Sequence, residues 1–155
     1  MNYWLIKSEE GCYSITDFKA DFKCDKKVAW TGIRNYQARN FMRDGMKKGD
    51  LIFFYHSQGN PSGIYGLAVV AGASHPDETA FDKKDEHFDP KSKRENPTWI
   101  CVDVAYVKTY KDPLSLADIK RDPNLEGMWV ARKGDRLSVS PVSEEHFRYI
   151  DKMLD

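Results

Sequence analysis

The run Trp30-Thr31-Gly32-Ile33-Arg34-Asn35-Tyr36-Gln37-Ala38-Arg39-Asn40-Phe41-Met42 discloses more about this chain than any other segment. A large aromatic is followed by a glycine hinge, then by a short helical pattern rich in guanidinium and amide groups. The pattern predicts a helix from about Asn35 to Arg43, ended by Gly45. An aromatic face beside amide and guanidinium donors suits a planar, hydrogen-bonding ring. Nucleobases are the commonest such ligand: stacking on an aromatic is worth roughly 1–3 kcal/mol per base, and amides can read a base edge. The plainer alternative is that Trp30 and Tyr36 lie in the core and the polar side chains form a solvated helix face.

On the N-terminal side, Asn2–Lys7 alternates apolar and aromatic residues and predicts a first strand. Ser14-Ile15-Thr16-Asp17 matches a capping box opening a short helix through about Ala20. Asp25-Lys26-Lys27 signals a turn before Val28–Trp30. On the C-terminal side, Lys47–Asp50 reads as a tight turn into Leu51–His56, an unbroken apolar run that predicts a strand buried on both faces. Ser57–Gly63 is a loop. Ile64–Ser74 is a second apolar strand, with Gly66 and Gly72 marking a bulge or bend. Residues 75–98 hold Pro76, Pro90, Pro97 and many charges, and predict a long excursion that is only partly ordered. Strand character returns at Trp99–Thr109, and a short helix opens at Ser115–Asp118. Leu137–Val142 reads as a short edge strand limited by Pro141, and Ser143 caps a last helix striped by Phe147, Ile150 and Leu154.

There is no βαβ periodicity, internal repeat or linker between domains. The expectation is a single α+β domain over residues 1–155: a mixed, strongly curved sheet closing into a small barrel, with short helices at the periphery. The 41% hydrophobic content supplies a core for one such domain.

Charge is balanced, with 24 basic and 24 acidic residues, which argues against a protein whose affinity comes mainly from coating a duplex backbone. The balance is uneven along the chain. Between Lys26 and Asp50 seven cations face two acids, and between Arg132 and Arg136 three face one; the first 25 residues and the 75–95 region are acidic. Two basic segments that meet in the fold would make a patch on a neutral protein. The three scattered cysteines fit reduced thiols. No apolar run approaches the roughly 20 residues of a membrane span, and the first residues lack a signal-peptide layout. His75 and His87 lie too far apart in a charged segment to pair as ligands, so no metal or cofactor is expected. A cytoplasmic monomer is the resulting expectation.

Other candidate site residues lie at strand ends. Tyr55, His56 and Ser57 close a buried strand, where polar groups suggest a terminus lining a cavity; His56 also reads as a core histidine, and Ser57 as the start of a turn. Lys7 and Ser8 leave the first strand, with Lys7 suited to a base edge or a phosphate. Arg136-Leu137-Ser138 could form a second rim, Arg136 on phosphate and Ser138 on the base. Arg34, Arg39 and Arg43 spread around their helix and read as phosphate contacts, whereas Trp4, Trp99 and Tyr106 read as core.

Together these motifs resemble the EVE domain, a member of the PUA-like superfamily that also includes the thymocyte nuclear protein family. The carrying segments are Tyr3–Glu9, Trp30–Met42, Lys48–Asp50 with Tyr55–Ser57, Gly63–Gly66, Pro97–Trp99 with Val102–Val104, and Arg136–Val142, in family order across nearly the whole chain. Glu10 stands where the family usually has Pro, and Thr31 where it often has Asp. The resemblance implies a pseudo-barrel with a pocket related to that of YTH domains, in which Trp30 takes an aromatic-cage position. It also implies a noncatalytic reader of modified bases in DNA or RNA, cytosine derivatives such as 5-methylcytosine in particular. A deep pocket of this kind needs a single strand or a flipped nucleotide, at a cost of a few kcal/mol. The expected ligand-binding set is Trp30, Gly32, Asn35, Lys7, Ser8, Tyr55, His56, Ser57 and Ser138, with Arg34, Arg39 and Arg136 on phosphates.

Two other functions are compatible with the same residues. ASCH-type relatives of the fold include hydrolases, and Tyr55-His56-Ser57 with Lys7 could supply a base and a nucleophile toward a nucleoside-like substrate. Adjacent strand residues point to opposite faces, which argues against that pairing. The third reading is a protein-interaction module using Phe81 and Phe88 of the 75–98 segment.

Overall fold

The first strand, β1 (Tyr3–Glu9), lies parallel to β3 (Leu51–Ser57) in the computed structural model, which describes residues 1–155, and this pair sets the frame for everything else. Their side chains alternate between two cores. Trp4, Ile6, Ile52 and Phe54 enter one, and Tyr3, Leu5, Phe53 and Tyr55 the other. Burial on both faces is why Leu51–Tyr55 carries no polar alternation.

The full order is β2-β6-β4-β3-β1-β7, with the two-residue β5 (His75–Pro76) paired to β6. Here β2 is Val28–Trp30, β4 Gly63–Val70, β6 Ile100–Ser115 and β7 Val139–Val142. All pairings except β1–β3 are antiparallel. The sheet is a curled half-barrel, mixed and strongly curved as expected, with short helices around it. Curvature has a local cause. The register slips between Phe54 and Tyr55 and again between Ile64 and Gly66. A Cβ on Gly66 would lie 2.6 Å from Ile15 Cδ1 and 2.7 Å from the Lys108 carbonyl oxygen, so glycine permits the close approach at the bend. Gly72 lies beyond β4 with open space around it.

Four α-helices cover this sheet. Ser14 caps α1 (Ile15–Asp25) through the full capping box with Asp17, and the helix runs five residues beyond Ala20. Ile15 and Phe18 pack into the Trp4 core. On the opposite face, α3 (Leu116–Arg121) contributes Ile119, and α4 (Glu144–Leu154) contributes Phe147 and Ile150. The opening run forms α2 (Tyr36–Asn40), which passes directly into one π-helical turn, Phe41–Gly45. This segment leaves edge strand β2 and packs against edge strand β7, closing the open side of the half-barrel. No helix is long and apolar enough to cross a membrane.

Residues 75–98 differ from the sequence expectation. They hold β5 and a 3-10 turn, Glu78–Phe81; beyond the two-residue pairing of β5 with β6, side-chain hydrogen bonds tie them down. Strand β6 is also longer than expected, continuing through Pro113.

Candidate functional site

The parallel register brings the C-terminal ends of β1 and β3 together, pairing Lys7 with Tyr55, Ser8 with His56 and Glu9 with Ser57. Strand alternation then separates these residues onto two faces. Lys7, Tyr55 and Ser57 line an open cleft of about 510 Å³. Lys7 Nζ pairs with Asp135 Oδ2 at 2.9 Å, and the Lys7 backbone N–H donates to the Ser138 carbonyl at 2.9 Å. Burial, with Asp135 nearby, pushes the Tyr55 hydroxyl up to about 12, so it stays protonated.

Ser8 and His56 belong to the other face. The Ser8 hydroxyl donates to the Tyr13 carbonyl at 2.6 Å and holds the turn into α1. His56 is 2% exposed, and its ring stacks on Tyr65 with centroids 3.9 Å apart. His56 Nε2 accepts the Ile15 N–H at 3.0 Å, so the neutral tautomer carries its proton on Nδ1. No protein group hydrogen-bonds that Nδ1; the Glu10 carboxylate lies 4.0 Å away. Burial lowers the His56 pKa, and Glu10 opposes part of the shift. His56 thus anchors the first turn of α1, and it faces away from Ser57, so the base–nucleophile pair of the hydrolase reading does not form.

Trp30 closes β2 at the margin of the core. It is 8% exposed, with its ring against Phe54, Tyr13 and Phe18 at centroid distances of 5.6, 6.0 and 6.3 Å. The residues after it are committed to holding the 75–98 segment. Gly32 has φ +85°, and its N–H donates to Asp77 Oδ2 at 2.8 Å. A Cβ there would meet the His87 ring at 2.9 Å, so the close approach made by Gly32 is to this segment. Arg34 donates to Asp77 Oδ2, Thr79 Oγ1 and the carbonyls of His87 and Ile33, at 2.7–3.1 Å. Its guanidinium is engaged throughout, which corrects its reading as a free phosphate contact. Asp77 is fully buried. Burial alone would raise its pKa, but hydrogen bonds from Thr79, Gly32 and Arg34 prevail and hold it below the ordinary carboxylate range.

Two further readings change for similar reasons. Asn35 Oδ1 accepts the Ala38 N–H at 3.0 Å as the N-cap of α2, leaving its amide nitrogen available. Arg39 donates to the Thr98 carbonyl at 3.0 Å and lies over the Tyr36 ring, 4.9 Å from its centroid. It stabilises a four-member ladder in which Arg34, Trp99, Tyr36 and Arg39 stack in turn. Arg136 is exposed and makes no ion pair, as a phosphate contact requires; Ser138 is half-buried at the hinge between the 132–138 turn and β7. Neither the partners of Arg34 nor the Trp99–Asp89 hydrogen bond of 2.7 Å were legible in the sequence, although Asp77-Glu78-Thr79 has the pattern of an Asp-capped turn.

The two basic segments are bridged by Trp129, which belongs to neither. Phe41 of the π turn packs edge-on against Trp129 at 5.6 Å, and the Arg132 guanidinium covers the Trp129 ring at 4.1 Å. Much of the earlier segment's charge is neutralised locally, through Arg34 with Asp77, Arg43 with Asp44 and Lys27 with Asp103. One other cluster carries chemistry-bearing groups. His75 Nε2 lies 2.9 Å from Asp103 Oδ1, and Cys101 Sγ lies 3.6 Å from His75 Nδ1. The Cys101 thiol is 1% exposed and burial pushes it up to about 12, so it is not a thiolate nucleophile. No three His, Cys, Asp or Glu side chains are grouped to hold a metal ion.

A family model described as the EVE domain matches residues 2–153. Thymocyte nuclear protein 1 from Rattus norvegicus is 40% identical over 166 residues, spanning 96% of this chain and 72% of the relative. Human THYN1 protein, solved in complex with 5-methylcytosine-containing DNA, has a TM-score of 0.89 at 38% identity, covering 100% of this chain and 98% of that one. A Pseudomonas syringae protein of known structure has a TM-score of 0.90 at 38% identity, covering 99% of each chain.

Proposed function

The chain belongs to the EVE domain family, and from that premise we propose that it is a noncatalytic reader of nucleic acid carrying a modified, cytosine-derived base. The observation that carries this reading is its structural similarity over the whole chain, at 38% identity, to a human protein solved with 5-methylcytosine-containing DNA. The base site lies on the Trp4 face of the sheet, where Trp30 gives the aromatic wall, Ser8 and the free amide nitrogen of Asn35 supply polar contacts, and Arg136 lies on phosphate. Lys7, Tyr55 and Ser57 lie on the opposite face and act on the flanking strand. His56, Gly32, Arg34 and Arg39 position the walls. The protein works as a cytoplasmic monomer on DNA or RNA.

The test is binding of short single-stranded and duplex oligonucleotides carrying cytosine, 5-methylcytosine, 5-hydroxymethylcytosine or 5-carboxylcytosine at fixed salt. Wild type is compared with Ser8→Ala, Asn35→Asp and Trp30→Phe. A preference for one modified base that the variants weaken supports the proposal. Equal binding of all four bases by wild type overturns it.

A further inference from the structure

We propose that the cleft on the Lys7 face is a phosphate track, holding phosphodiester groups of the strand that flanks the base; this rests on the proposed nucleic-acid function. The cleft of about 510 Å³ lies between the ends of β1 and β3, helix α3 and the 130–135 turn. Four cations line it, Lys7, Lys120, Arg132 and Lys133, against one acid, Asp135. Asp135 is matched to Lys7 at 2.9 Å, and the other three cations have no ion-pair partner. On a chain whose formal net charge is zero, three uncompensated cations around one opening are a concentrated positive field.

The lining chemistry favours phosphate over an apolar ligand. A small-molecule pocket is enclosed and mainly apolar, whereas only four of the 13 lining residues are hydrophobic, and Ser57, Gln58 and Ser62 add hydroxyl and amide groups. Arg132 is pre-positioned by its 4.1 Å stacking on Trp129, which is itself held by Phe41. A guanidinium fixed in this way loses little freedom on meeting a phosphate bidentately. Lys120 and Lys133 are exposed point charges on either side.

Two chain segments link the cleft to the proposed base site on the other face of the sheet. Lys7 and Ser8 are consecutive residues facing opposite sides of the sheet, so the end of β1 reaches both. The 132–138 turn makes the same crossing: Asp135 lies in the cleft, Leu137 packs against the Trp30 core, and exposed Arg136 sits between them. A strand crossing this turn would pass from Lys133 over Arg136 to the base.

The experiment compares wild type with the double variant Lys120→Ala/Lys133→Ala, on a short DNA duplex with one 5-methylcytosine and on its unmodified counterpart, over a range of salt. Both residues are exposed, and an unchanged melting temperature confirms the fold. The variant should weaken binding to both duplexes by the same factor and leave their ratio intact. The slope of log K against log salt should fall by about 0.9 for each phosphate that the variant no longer neutralises. An unchanged slope overturns the track even if base preference persists. Conversely, a slope that falls while wild type shows no base preference sustains the track and refutes the base-reading function. Competition by poly-glutamate equal to that by DNA would assign the cleft to acidic protein and overturn the proposal.

Discussion

Arg34 and Asp77, 43 residues apart in sequence, meet with Nη1 3.0 Å from Oδ2, and this pairing fastens the 75–98 segment over the glycine hinge that follows Trp30. The carboxylate is fully buried and also accepts the N–H groups of Gly32 and Thr79 and the Thr79 hydroxyl. Four donors converge on one anion, so each constrains the position of the others.

Arg34→Ala should therefore be severe. Removing one partner of a buried pair leaves an uncompensated charge and costs about 3–5 kcal/mol. For a chain of this size, each kcal/mol lowers the melting temperature by roughly 2–4 °C. Thermal unfolding checks the loss, and limited proteolysis of the folded variant should cleave first within residues 75–98. A loss of stability below about 0.5 kcal/mol would contradict this fastening role.

The same carboxylate should make the protein acid-sensitive. The folded pKa of Asp77 lies below its ordinary 3.8, so the folded state binds the proton less readily than the unfolded chain. Its stabilisation is present above about pH 4 and is lost as pH falls through the folded value. Wild type should lose stability steeply over that window, and Asp77→Asn, already less stable, should show a shallower slope in acid denaturation.

His56 should act in a higher window. Protonating Nε2 would remove the acceptor of the Ile15 N–H and place a charge in a buried site, and the folded pKa is lowered for that reason. Above about pH 6.5 both states are neutral and nothing changes; below it the unfolded chain takes up the proton first and stability falls. Denaturant midpoints at about pH 7.5 and about pH 5.5 should differ for wild type and converge for His56→Gln.

Trp30→Ala should remove a core side chain as well as the aromatic wall proposed for the base. Without the indole packed on Phe18, Phe54 and Tyr13, the fold should be about 3–5 kcal/mol less stable. Trp30→Phe should cost less and keep an aromatic face. Chemical denaturation of the two variants checks the order, and it determines which of them is fit for binding experiments.

Much of the architecture was carried by local pattern. The apolar run Leu51–His56, the Ser14–Asp17 capping box, the Pro141-limited edge and the Ser143 cap each state their own conformation, because hydrogen bonding and burial over a few residues decide them. The candidate site was legible only as residue types. Whether Arg34 faces phosphate or Asp77, and whether His56 faces a ligand or the Ile15 N–H, depends on segments tens of residues away. The sequence by itself determined a curled mixed sheet with short helices. The tertiary structure alone decided which cations remain free: a charge is neutralised by whatever the fold brings within a few ångströms, and spacing along the chain does not encode that distance.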